Sequence, residues 1–133
     1  MKRISDTKRA SIEVAKEDRE AFALEFDRCW ICNSPAEFAS LPHATHEIVH
    51  GVNRNAGYAH RVAWLRLCAV CHANVHESWS LVEQYALKAM RDPEHYDRVE
   101  LNRMRVRADD SVSEIEVVQA AASVLDKVWK RTR

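Results

Sequence analysis

A chain of 133 residues with 20 Lys and Arg against 20 Asp and Glu has room for one modest core and carries no net charge. The balance is also local, with six charges of each sign in residues 1–26, four of each in 27–78 and ten of each in 79–133. A polycationic nucleic-acid coat and a membrane-surface binder are thereby excluded, and any affinity for DNA must come from local placement of side chains and from bound metal. The opening Met1-Lys2-Arg3-Ile4-Ser5 lacks the apolar stretch of a secretion signal, and no run approaches the ~20 apolar residues of a membrane span. A cytoplasmic protein with no membrane association is expected.

The first element is predicted over residues 11–26, rich in Ala, Glu, Lys and Leu without Gly or Pro, with Phe22 and Phe26 on one face. It leads into Cys29-Trp30-Ile31-Cys32, which is answered later by Cys68-Ala69-Val70-Cys71, so all four cysteines fall in C-x-x-C pairs. A two-residue spacer lets both sulfurs of such a knuckle reach one ion at about 2.3 Å, the pattern of a structural zinc site. The competing uses, a thioredoxin-like redox pair or disulfides, need a βαβ context or an oxidising compartment, and neither is indicated.

Residues 33–62 hold both glycines, two of the three prolines and four of the seven histidines, and read as loop and short strands where function concentrates. Ser80-Leu81-Val82-Glu83 is a capping box opening a helix over about 80–91, with Leu81, Val82, Tyr85 and Ala89 at helical spacing. Asp92-Pro93 supplies a cap and first turn for a further helix over roughly 93–106. Its Tyr96, Val99 and Met104 are expected toward the core. Its Arg98, Arg103, Arg105 and Arg107 are expected on a solvated face balanced by Glu94, Asp97 and Glu100.

A linker at Ala108-Asp109-Asp110-Ser111 precedes a last helix opened by Ser113-Glu114-Ile115-Glu116. There Ile115, Val118, Ala122, Leu125 and Trp129 line one side, to pack on the domain or on a partner. The expected fold is α+β and mostly helical, divided into an N-terminal helix (1–27), a zinc-knuckle unit (28–78), a helical pair (79–107) and a C-terminal helix (108–133).

Between the knuckles lies Pro42-His43-Ala44-Thr45-His46-Glu47-Ile48-Val49-His50-Gly51, and His72 and His76 follow the second knuckle. Four residues apart on a helix, His72 and His76 share one face a turn apart and can grip a single ion. His46 could reach the same ion from a strand. So many imidazoles around two knuckles point to a second metal-binding or catalytic centre.

C-x-x-C, a His-Glu-Ile segment and then Trp64-Leu65-Arg66-Leu67-Cys68-Ala69-Val70-Cys71-His72 together resemble an HNH endonuclease of the zinc-knuckle, phage and bacterial type, over about residues 28–77. The resemblance implies a small ββα-metal (His-Me finger) core, flanked here by the N-terminal helix and two or three C-terminal helices. It implies a DNA phosphodiesterase with structural Zn²⁺ on Cys29, Cys32, Cys68 and Cys71, and a catalytic Mg²⁺, Mn²⁺ or similar ion on His46, His72 and His76. The family's base position falls on Glu47, which makes His46, Glu47 and His72 the expected catalytic set.

The family's asparagine position falls on Ala63, with Asn53 or Asn55 as substitutes. A one-residue shift would instead make His46 the base and leave Thr45, a poor ligand, in the ligand position. His43, His50 and His60 are spare candidates. Arg54 and Arg61, between hairpin and helix, are the expected phosphate contacts. DNA is the implied partner, in the cytoplasm of a bacterium or phage-infected host, with phage packaging or replication machinery as a protein partner. The alternative is a catalytically degenerate zinc-finger module that binds nucleic acid or a protein.

Overall fold

The computed structural model describes residues 6–37, 39–49, 54–105 and 111–129, and of residues 6–12 and 54–56 it describes the backbone alone. Helix α1 (Asp6–Glu25) starts earlier than expected and turns Ala15 and Phe22 inward. The Phe22 ring meets those of Phe26, Trp30 and Trp64 at 5.1, 5.7 and 5.4 Å, so one aromatic cluster joins α1 to both halves of the knuckle unit. The chain then folds through the first knuckle, where Cys29 N donates to Ser34 O and Asn33 N donates to Cys29 O. Asn33 takes the left-handed region at φ 63°, which asparagine enters more readily than other side chains.

Strand β1 (Ala44–Glu47) pairs antiparallel with β2 (Trp64–Leu67), placing His46 opposite Leu65 and Glu47 opposite Trp64. All of β2 is buried, including Arg66, whose guanidinium is held by hydrogen bonds. Trp30 N donates to Arg66 O, while the Arg66 guanidinium donates to Phe26 O and to Thr45 Oγ1. The first knuckle is thereby tied to the outside of the sheet. Helix α3 (Ala69–Ser78) follows β2 directly and packs on both strands. The architecture is α+β and mostly helical, around this two-stranded antiparallel sheet.

The stretch expected to be loop and short strands contains a helix, α2 (Arg54–Ala59). Its glycine marks a close approach and not a loop: Gly57 is there for clearance, since an added Cβ would stand 2.1 Å from Val49 O. The Gly57 carbonyl also accepts from Trp64 Nε1 at 2.8 Å, so α2 cannot retreat without breaking a buried bond. Gly57→Ala is expected to destabilise the protein by about 1–3 kcal/mol, the usual range for overpacking. Urea midpoints measure this, and an unchanged midpoint would show that α2 moves aside freely.

Helix α4 (Leu81–Arg91) begins at the expected capping box, with Ser80 and Glu83 exchanging both bonds. At its centre Lys88 is fully buried, and its Nζ donates to Arg61 O at 2.7 Å, Trp64 O at 3.1 Å and Asp92 Oδ2 at 2.8 Å. Asp92 also accepts from Arg61 Nε at 3.0 Å. This corrects the expected helix over 93–106. Asp92 turns inward to the cations instead of capping, so Pro93–His95 forms only a 3₁₀ turn and Asp97 caps a separate α5 (Arg98–Met104). Leu101 and Met104 are buried, while Val99 is 63% exposed and not in the core.

Burial raises the Asp92 carboxyl, but its bonds to Arg61 and Lys88 outweigh that and bring it down to about 2. An unfolded aspartate titrates near 3.9, so between about pH 4 and 2 the unfolded chain binds the extra proton and stability is lost as pH falls. Asp92→Asn should cost about 3–5 kcal/mol near neutrality by leaving buried Lys88 uncompensated, and should flatten the acid limb of a denaturation series. An acid limb of unchanged steepness would remove Asp92 from the account.

Helix α6 (Glu114–Lys127) also begins at its expected capping box, but it is turned the other way. Val117, Val124 and Val128 are buried with Ala120 and Ala121 packed behind them, whereas Ile115 is 69%, Val118 67% and Leu125 50% exposed. The helix carries two apolar stripes. The small, β-branched one allows close approach to α4, and Lys127 and Ser123 fasten that orientation by bonding the Glu83 carboxylate. One continuous core runs from Phe22 to Val128. The proposed linker and Arg107 fall largely in 106–110, outside the described residues.

Candidate metal centres

Each cysteine is placed by backbone. Cys29 and Cys32 sit in the turn closed by Ser34; Cys68 is the N-cap of α3, and Cys71 lies in its first turn. The ligand atoms of the four lie within 4.8 Å of one another, with Cys32 Sγ and Cys68 Sγ 3.7 Å apart. A tetrahedron with bonds of about 2.3 Å has edges of about 3.8 Å, whereas a disulfide needs about 2.05 Å. All four are free thiols, which matches the metal pattern and not the disulfide one.

Ile31 N and Cys71 N each point at a cysteine sulfur, Cys29 Sγ and Cys68 Sγ, at 3.4 Å. Such N–H groups favour thiolate over thiol. Burial pushes the Cys29 and Cys71 thiols up, while at Cys32 burial is outweighed by hydrogen bonds from Ser34, Cys29 and Cys68, which bring it down to about 7. The donor set could hold a structural metal such as zinc, with proton release on binding.

A second cluster joins His46 of β1 to His72 and His76 of α3. Ring centroids are 5.1 Å apart for His46–His72, 5.0 Å for His46–His76 and 4.8 Å for His72–His76. His46 is 3% exposed, His72 half-buried and His76 open to solvent, so the cluster is enclosed on the sheet side and accessible on the other. Burial, and then His76, hold His72 below its ordinary value, which favours the neutral ligand form. His46 Nε2 is 2.8 Å from Gln84 Oε1 on α4. These three imidazoles could hold one metal ion.

Glu47 is not in this cluster. Strand alternation turns it to the opposite face, where its Oε2 is 3.7 Å from Arg19 Nη2 of α1. Arg19 also donates to Thr45 O and Tyr58 O, each at 3.3 Å. Thr45 is engaged by Arg66 and Arg19 and likewise stands apart from the histidines. Ala63 is fully buried, and its carbonyl accepts from Ile48 N at 2.8 Å.

Arg61, expected as a phosphate contact, is paired with Asp92 and Glu25. The Arg54 side chain, His50 and Asn53 lie outside the description, and only the backbone of Asn55 is described. His43 is buried against Ser34 O at 2.8 Å, and His60 is exposed. Two residues that sequence reasoning missed are Gln84 and Arg19. Each meets its partner across a long separation, and no local pattern announces either. No helix among the described residues is long and apolar enough to cross a membrane. Comparison of the chain with protein-family models, curated proteins and solved structures returns no match in any of the three.

Proposed function

We propose that the protein is a metal-dependent HNH-type endonuclease hydrolysing DNA phosphodiester bonds, with β1, β2 and α3 as its ββα-metal finger. The observation that carries this reading is the meeting of one strand histidine, His46, with two helix histidines, His72 and His76, beside a four-cysteine cluster to which the start of the same helix contributes Cys68 and Cys71. A binding module has no need of three converging imidazoles. An ion held there would act as a Lewis acid toward the scissile phosphate and the leaving oxygen.

All three donors are imidazoles, a set that suits zinc, nickel, copper or iron better than Mg²⁺ or Mn²⁺, which favour carboxylate and water. Glu47, the expected base, is next to the ligand set in the chain, and to take the proton of the attacking water its carboxylate would have to leave Arg19 and turn toward the histidines' ion. The bond from Ile48 N to Ala63 O supports the end of β1 where the family uses an asparagine side chain.

One observation favours a non-catalytic binding module: Glu47 is paired with Arg19 on the face turned from the histidines. Supercoiled plasmid incubated with the protein in Zn²⁺, Ni²⁺, Mn²⁺ and Mg²⁺ separates the two. Metal-dependent nicking that disappears in Glu47→Ala supports the enzyme with this base. Silence of a folded protein in every ion supports the module.

A further inference from the structure

We infer that Gln84 is a positioning residue for the histidine centre, selecting the tautomer of His46 and hence the ring atom it offers to an ion. The inference rests on the reading of His46, His72 and His76 as an ion site and not on any cleavage by it. A neutral imidazole carries its proton on one nitrogen and its lone pair on the other, and the partner of the protonated nitrogen decides which is which. Oε1 of Gln84 can only accept. At 2.8 Å it calls for a proton on His46 Nε2 and leaves the lone pair on Nδ1.

The amide is held in the orientation this requires. Gln84 Nε2 donates to Trp79 O at 3.5 Å, which directs the carbonyl oxygen toward His46. Gln84 N donates to Ser80 O at 3.1 Å, so the residue sits in the first turn of α4, whose register the Ser80–Glu83 capping box sets. Glu83 in turn accepts from Lys127 and Ser123 of α6. A chain of bonds therefore runs from α6 through Glu83 and the start of α4 to Gln84 and His46. On this account the helices beyond residue 79 orient a ligand that lies in the sheet.

Glutamine is also a neutral acceptor. It can fix the ring's orientation without placing a charge beside the ligand set. Gln84→Leu keeps the bulk and removes the acceptor; Gln84→Glu keeps the acceptor and adds charge.

Two readouts test this without any nuclease assay. Long-range ¹H–¹⁵N spectra of the zinc-loaded wild type, before a second ion is added, should show His46 as the Nε2–H tautomer, and Gln84→Leu should lose that assignment. Calorimetric titration with Ni²⁺ should show a second site beyond the cysteine cluster, weakened about 10–100-fold in Gln84→Leu and retained in Gln84→Glu. Zinc content and melting temperature of both variants should match wild type. An Nδ1–H tautomer in the wild type, equal Ni²⁺ affinity in Gln84→Leu, equal weakening in both variants, or no uptake at the histidines would each overturn the assignment. Ni²⁺ binding with the expected Gln84 dependence but no plasmid nicking would leave it standing while removing the nuclease reading.

Discussion

Cys71→Ser is expected to abolish stoichiometric zinc and leave the chain unfolded at room temperature. Serine cannot supply the fourth soft ligand, and the remaining three thiols sit in two segments whose approach brings Cys32 and Cys68 to 3.7 Å. Zinc in small structural sites contributes apparent free energies of about 10–16 kcal/mol, while a whole domain is stable by only about 5–15 kcal/mol. The first comparison decides the outcome: the loss exceeds what one modest core can offset. Far-UV circular dichroism with metal analysis reads it, and chelator added to wild type should reproduce the variant's spectrum. A Cys71→Ser protein that melts cooperatively at the wild-type temperature would show that the four thiols are not a folding centre.

On the proposed nuclease reading, loss of a histidine should do the opposite, sparing the fold and ending cleavage. His72→Ala and His46→Ala are expected to keep their zinc and their helical content while plasmid nicking falls by at least about a hundredfold, the scale on which removal of a positioned acid–base or charge-stabilising group is felt. His72 is half-buried and its truncation leaves little void; His46 is buried, so its variant should melt lower without unfolding at assay temperature. The contrast with Cys71 is informative because Cys71 and His72 are neighbours in the chain. If His72→Ala loses zinc and structure as Cys71→Ser does, the two clusters are one structural unit and the second has no separate role.

Local chemistry made much of this legible in the chain. Both capping boxes formed as read, because Ser and Glu at that spacing satisfy each other's backbone donors whatever surrounds them. The cysteine pairs and the His72–His76 spacing were legible for the same reason, since metal geometry and helix pitch act over a few residues. What stayed hidden depends on distant partners. Asp92 looks like a cap until Lys88 and Arg61 claim it, Gly57 looks like a breaker until Val49 is placed against it, and α6 offers two apolar stripes between which only α4 chooses. Gln84 touches His46 across a separation of 38 residues, a pairing that no periodicity encodes.

Helix α3 bears Cys71, His72 and His76, with Cys68 as its cap, on one rigid rod. An α-helix turns about 100° per residue, so a single residue inserted between Cys71 and His72 would swing both imidazoles a quarter-turn or more away from His46 while the sulfurs kept their places. A deletion there would do the same in reverse. The loop between the first knuckle and β1 is different: extra length costs only about 0.6 kcal/mol for each doubling. Length variation in this molecule is therefore cheap where the chain merely connects and ruinous across the short span from Cys68 to His76.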